Sequence, residues 1–330
     1  MDIAPAPTAF ARNGDVRIAY ETFGAPGGRP LLLLSGLDYQ MVWWPEALCA
    51  ALADRGFQVA RFDYRDSGLS THYAALADPR PRPWRALLAG GPAAPYSGHD
   101  LVHDIRAVLD ALGWEQAHLL GVSMGAGLAQ LTAMLDPGRV AALTLVSGIP
   151  MGGPPWRMLP YLHLGTFARL AMRRYGPGRE DQERMLVDVL RATYTDTYPL
   201  DEAWARRTAA VSYDRHPPDP AARHRQLTAG RTVTYPAGGL ATIAAPALVI
   251  HGEDDPLVRP AAARALARHI PGARLVTYAG MGHGLPPALW PSALDEIAAL
   301  DEIAPRAAPG GRAGGPGAST ARGRGTAGSR

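Results

Sequence analysis

Apolar runs of strand length alternate with helical stretches along most of the chain. The predicted strands are Val16 to Thr22, Leu31 to Ser35, Gln58 to Asp63, Ala117 to Val122, Ala142 to Ser147, Ala247 to His251 and Arg274 to Tyr278. Several, such as Leu31-Leu32-Leu33-Leu34, are continuously apolar, which is how a strand buried on both faces of a parallel sheet reads. The predicted helices fall between them: Glu46 to Arg55, His99 to Leu112, Met124 to Leu135, Pro260 to His269 and Ala288 to Ala299. Such alternation predicts an α/β fold, a mostly parallel central sheet flanked by helices.

Two segments break the rhythm, and a third follows it. Asp78 to Ser97 is rich in Pro, Arg and Gly, with Trp84 inside it, and reads as a long loop or insertion. The stretch 151–240 reads as mostly helical and separates two halves of the sheet pattern. It is therefore expected to be a helical cap between core segments 1–150 and 241–304. The tail 305–330 holds no aromatic and no large aliphatic residue, and is expected to be disordered. No internal repeat is visible.

Hydrophobic residues make up 47% and charged residues 19%, as in a globular chain of 330 residues with room for a substantial core. No apolar run reaches the ~18 residues a transmembrane helix needs. The start of the chain has neither a basic segment nor an apolar h-region, so no secretory signal is expected. The lone cysteine, Cys49, excludes an intramolecular disulfide and reads as a buried structural thiol. Both features fit a cytoplasmic location. The net charge of +3 comes from the tail, where Arg306, Arg312, Arg322, Arg324 and Arg330 stand without an acid; the rest is near −2. The basic balance thus gives no reason to expect nucleic-acid binding by the core. The chain contains no lysine.

The chemistry centres on Gly121-Val122-Ser123-Met124-Gly125. A Gly-x-Ser-x-Gly string alone is a weak signal. Here an apolar strand precedes it and a small-residue helix follows, the strand–turn–helix setting of a nucleophile elbow. The serine must take a strained conformation on a tight turn, where flanking side chains would collide. That turn lifts the hydroxyl above the sheet and aims a helix N-terminus at a developing oxyanion. A tight turn without catalysis is the plainer alternative.

A serine nucleophile needs a base. Of ten histidines, His283 stands out in Gly280-Met281-Gly282-His283-Gly284, after the last predicted strand. Glycines on both sides let the loop bring the imidazole back over the sheet. His251, at the end of a strand, reads as structural; His72, His99 and His103 read as solvated surface or pocket lining. His163, His216 and His224 lie in the expected cap without companions that suggest metal ligation. The base needs an orienting carboxylate, and Glu253, Asp254 and Asp255 compete after the strand ending at His251. Asp255 is favoured because Pro256 biases it to an extended backbone; Asp254 is the alternative. Two backbone N–H groups would complete an oxyanion hole: Met124, directly after the serine, and Leu37, in Ser35-Gly36-Leu37-Asp38 after an early strand. No cofactor and no metal are called for.

Taken together, Ser35-Gly36-Leu37, Phe62 to Ser70 (Phe-Asp-Tyr-Arg-Asp-Ser-Gly-Leu-Ser), Gly121 to Gly125, Gly252 to Pro256 and Gly280 to His283 resemble the α/β-hydrolase superfamily over roughly residues 10 to 300. The order Ser, Asp, His along the chain is that of the superfamily. More narrowly, Asp-Tyr-Arg-Asp-Ser-Gly-Leu-Ser-Thr and Gly-Met-Gly-His-Gly-Leu-Pro resemble segments of the aclacinomycin methylesterase group, which demethylates anthracycline esters. The resemblance implies Ser123, Asp255 and His283 as the triad, Leu37 and Met124 as oxyanion donors, and a bracing role for Asp63, Arg65 and Gly68. Ser35 departs from the pattern, since many members carry histidine there, and the insertion 78–97 is longer than expected.

The sequence therefore leads to a serine esterase acting on a small-molecule apolar ester, with no nucleic-acid or membrane partner expected. Amide cleavage, C–C bond hydrolysis or cofactor-free perhydrolysis by the same residues, and a non-catalytic binding module, remain as alternatives.

Overall fold

The computed structural model describes residues 4–73, 94–153, 155–230 and 233–302. The expected insertion at 78–97 is described only from residue 94, and Trp84 and the tail 305–330 lie outside the described residues.

Eight strands form one sheet: β1 (Ala9–Asn13), β2 (Val16–Phe23), β3 (Arg29–Leu34), β4 (Phe57–Phe62), β5 (Ala117–Val122), β6 (Val140–Val146), β7 (Ala247–Gly252) and β8 (Arg274–Tyr278). Their order is β1-β2-β4-β3-β5-β6-β7-β8. The β1–β2 and β2–β4 pairs are antiparallel, and every pair from β4 through β8 is parallel. Strand β1 was not anticipated. It shows a single buried residue, so its apolar alternation is faint. Its signal was Asn13-Gly14: Asn13 pairs with Val16 across a two-residue turn in which Gly14 has φ +59.

Helices α1 (Glu46–Ala53), α2 (Gly98–Ala111), α3 (Met124–Leu135), α8 (Ala261–His269) and α9 (Trp290–Glu302) cover the two faces. The four leucines of β3 show why the run is uninterrupted. Leu31 and Leu33 pack with Leu48 and Leu52 of α1 and Leu294 and Ile297 of α9. Leu32 and Leu34 pack with Ile105 and Leu109 of α2 and Leu128 and Leu131 of α3. Cys49 is buried on the α1 side, where burial pushes its thiol up to about 12, so it stays protonated and inert.

Four more helices lie between β6 and β7: α4 (Leu164–Met172), α5 (Arg179–Arg191), α6 (Glu202–Arg215) and α7 (Pro220–Ala229). Their attachment to the sheet edge includes buried ion pairs. Arg215 pairs with Asp63, Arg223 with Asp38, and Arg225 with Asp66. Gln40 donates to the carbonyls of Ser212 and His216, at 2.8 and 2.9 Å. An apolar cluster joins them as well: Trp43, which meets Tyr39 and Trp204 edge to face, packs with Leu186, Val187, Ala205 and Ala209. Among the described residues, no helix is long and apolar enough to cross a membrane.

Candidate active site

Strands β5, β7 and β8 run parallel, so the segments that leave their carboxyl ends gather at one edge of the sheet, where open α/β sheets bind ligands. Ser123 sits in the turn between β5 and α3 with φ +56 and ψ −114, a region costing a non-glycine residue roughly 1–3 kcal/mol. Two contacts hold it there. Its N–H donates to the carbonyl of Val146 at 3.0 Å, and its carbonyl accepts from Gly127 at 3.2 Å. The flanking glycines are required by space. A Cβ on Gly121 would overlap the backbone of Gly125, and one on Gly125 would overlap the carbonyl of Leu34. Met124 is the first residue of α3, so its N–H is one of the leading donors that a helix leaves without an internal partner.

The loop after β3 closes against this turn. A Cβ added to Gly36 would stand 3.8 Å from Cβ of Ser123, which places Gly36-Leu37 beside the serine.

Asp255 and His283 are brought into contact. His283 Nδ1 lies 2.8 Å from Asp255 Oδ2, and both residues are buried. The other carboxylate oxygen, Oδ1, accepts the N–H groups of Leu257 at 2.8 Å and Val258 at 2.9 Å. Burial alone would raise the Asp255 carboxyl. The facing His283 and the N–H of Val258 outweigh it and hold the group below the usual carboxylate range. An imidazole that donates from Nδ1 in its neutral form keeps a lone pair on Nε2, the state a general base requires. The His283 loop is pinned by its own N–H, which donates to the carbonyl of Thr193 at 2.8 Å. It is also pressed on β7, where a Cβ at Gly252 would overlap the carbonyls of Met281 and Gly282.

The rival carboxylates are engaged elsewhere. Asp254 accepts the N–H of Gly280 at 3.0 Å, and Glu253 accepts from the hydroxyl of Thr277 at 2.9 Å. His251 is fully buried and its Nε2 meets the carbonyl of Val258 at 3.0 Å, a structural position. His72 is half-buried, and its ring stacks on His216, which caps the end of α6, with centroids 3.6 Å apart. The bracing residues after β4 behave as implied. Asp63 accepts N–H groups from Met41 and Leu69, at 2.7 and 3.0 Å, and Arg65 forks onto Asp104 at 2.6 and 2.7 Å. Gly68, at φ +50, leaves the space that the Asp63 carboxylate fills.

Sequence reasoning did not find Thr193, Arg223 or Gln226, each of which touches a loop of this site. Nothing in their spacing marks them, since their partners lie far away in the chain. A cavity of about 310 Å³ opens elsewhere, against Leu162, His163, Arg169 and Arg259; Ser123, Asp255 and His283 do not line it.

Residues 29–286 match the family model described as the alpha/beta hydrolase fold. The chain belongs to the α/β-hydrolase family. Within it, this hydrolase is 30% identical over 299 residues to rhodomycin D methylesterase of Streptomyces sp. (strain C5), covering 85% of this chain and 93% of that one. It is 28% identical over 303 residues to rhodomycin D methylesterase of Streptomyces peucetius, with the same coverage of 85% and 93%. Among solved structures, an esterase from Rhodococcus sp. ECU1013 superposes with a TM-score of 0.67 at 21% identity, over 92% of this chain and 100% of that one. The enol-lactonase of Burkholderia xenovorans LB400 gives 0.64 at 22%, over 88% and 99%. Both superpositions speak to the fold.

Proposed function

We propose that this α/β hydrolase is a serine esterase that cleaves a carboxylic ester through an acyl-enzyme. The observation that carries the reading is the 2.8 Å hydrogen bond between His283 Nδ1 and a buried, backbone-anchored Asp255, at the same sheet edge as a strained serine. In this reading Ser123 Oγ attacks the ester carbonyl while His283 Nε2 takes its proton. The tetrahedral oxyanion accepts hydrogen bonds from the N–H groups of Leu37 and Met124. Collapse breaks the C–O bond, and His283 returns the proton to the departing alkoxide as alcohol. Water, deprotonated by His283, then attacks the acyl-enzyme and releases the acid, with Ser123 reprotonated. Asp255 holds the imidazole tautomer and stabilises the transient imidazolium.

The segment 151–240 serves as a cap over this edge and supplies the walls for a sizeable acyl group. A methyl ester of a polyketide-like molecule is the substrate class that the methylesterase relatives support. The test is intact-mass spectrometry after exposure to a fluorophosphonate, with Ser123→Ala as control. One adduct on the wild type and none on the variant is expected. A folded wild type that takes up no adduct, or a variant labelled equally, would overturn the reading. Turnover of β-diketones but of no ester would move the chemistry to C–C cleavage.

A further inference from the structure

The loop from Ser35 to Gln40 carries Leu37, whose N–H the mechanism needs, yet β3 alone cannot fix it. The loop leaves the sheet at Leu34, contains glycine at position 36, and turns through Asp38 at φ +67, a conformation uncommon for non-glycine residues though more accessible to aspartate than to most. The ends of the loop are held by other elements, the Ser35 carbonyl by the Tyr64 hydroxyl at 3.1 Å and Gln40 by the carbonyls of Ser212 and His216; the residue next to Leu37 is held by α7. The Asp38 carboxylate accepts the guanidinium of Arg223, with Nε at 2.7 Å. The Asp38 N–H donates to Gln226 Oε1 at 3.2 Å, while Gln226 Nε2 donates to the carbonyl of Arg65 at 3.3 Å. Gln226 is 3% exposed, so its amide is committed to bridging the two loops and not to solvent. The N–H of Tyr39 closes the turn on the carbonyl of Gly36 at 3.3 Å. The residue after Leu37 is thus gripped at both its backbone and its side chain by two residues one helical turn apart.

We infer that Arg223 and Gln226 are positioning residues that aim the Leu37 N–H at the oxyanion, so that α7, not the sheet alone, completes the hole. The inference rests on the serine-esterase reading above. Its consequence is coupling: a displacement of α7 carries the oxyanion loop with it, and acylation proceeds only with α7 docked. A purely structural role for the same contacts would affect stability without selecting the transition state.

The full-length protein is assayed with p-nitrophenyl butyrate, comparing R223M, R223K, Q226M, D38N and the double variant D38N/R223M. R223M and Q226M each lower kcat by about tenfold to a hundredfold, a fraction of the loss when an oxyanion donor is removed outright, with KM within about threefold. Affinity for an aliphatic trifluoromethyl ketone, which forms the tetrahedral adduct, falls in parallel with kcat/KM. R223K restores part of the loss, and D38N/R223M is no worse than R223M. Unchanged kcat in folded variants, or a kcat loss without loss of ketone affinity, overturns the inference. If R223M does not fold, Q226M and R223K decide between the same outcomes. Failure of the underlying reading is separable: it appears as a wild type without a fluorophosphonate adduct, whereas full kcat in labelled variants removes only the role of α7.

Discussion

Replacing Asp255 by asparagine tests the orienting role proposed for the carboxylate apart from its size. Asp255 Oδ1 accepts two backbone N–H groups, from Leu257 and Val258, and Oδ2 accepts from His283 Nδ1 at 2.8 Å. An asparagine has one oxygen and one NH₂ group. Turning the NH₂ toward Leu257 and Val258 would set donors against two fixed donors, so the oxygen stays there and the NH₂ faces His283. The imidazole must then accept at Nδ1 and carry its proton on Nε2, the tautomer that cannot take a proton from Ser123. The expected loss in kcat is on the order of 10⁴, about 5 kcal/mol of transition-state stabilisation. Folding should suffer much less, because the two backbone bonds persist and only lose their charge assistance, at roughly 1 kcal/mol each. The assay is p-nitrophenyl ester hydrolysis by D255N and D254N, with thermal unfolding followed by circular dichroism. A folded D255N retaining kcat within tenfold of wild type would refute the reasoning. A larger loss in D254N, whose carboxylate holds the N–H of Gly280, would reassign the orienting acid.

Three further outcomes follow from the same contacts. Gly125→Ala forces a Cβ into the carbonyl of Leu34, so soluble yield and urea stability should fall by about 1–3 kcal/mol or more, with esterase activity lost; a variant as stable and active as wild type would contradict the packing. Arg225→Met strands the Asp66 carboxylate, which is fully buried and accepts Arg225 at 2.7 and 2.9 Å; about 3–5 kcal/mol should be lost in urea unfolding and largely regained in D66N/R225M, and equal stability of single and double variants would refute this. Burial holds the pKa of His251 below the ordinary histidine value, against the pull of Asp255. The unfolded chain therefore binds that proton at higher pH than the folded one. Stability from this residue is present above the unfolded value and is lost as pH falls through the folded one. Urea unfolding should show lower stability at pH 5.5 than at pH 7.5, with a shallower dependence in H251Q; a flat wild-type profile would exclude the effect.

What the chain discloses in advance depends on the range of the interaction. Strands Ala117–Val122 and Arg274–Tyr278 and helix Met124–Leu135 fall within their predicted limits because apolar runs and their stops are local. The turn around Ser123 is legible for the same reason: backbone crowding at Gly121 and Gly125 writes itself into five consecutive residues. Strand β1 is missed because an edge strand buries one side chain and leaves little periodicity. The choice of Asp255 over Asp254 rests on a proline alone in the sequence, whereas the fold adds two N–H donors and a histidine. Arg223, Gln226 and Thr193 carry no local mark. An arginine facing Asp38 reads the same as one facing water, and the carbonyl that receives the His283 N–H has no side-chain identity to betray it.

The arginine contacts of α6 and α7 also bear on how the molecule reaches this state. Arg215 meets Asp63 across 152 positions, Arg225 meets Asp66 across 159, and Arg223 meets Asp38 across 185. Each of these contacts closes about half of the 330-residue chain into a loop, an entropic cost that grows only slowly with length but must be met before the contact gives anything back. The sheet from β3 to β6 assembles from nearer neighbours. The helices over its edge are therefore expected to settle after it, and a ribosome-bound chain that has emerged only through β6 carries Ser123 and the Val146 carbonyl that receives its N–H while lacking both Asp255 and His283. Under the proposed mechanism, esterase competence can arrive only with the final quarter of the chain, well after Ser123 has been made.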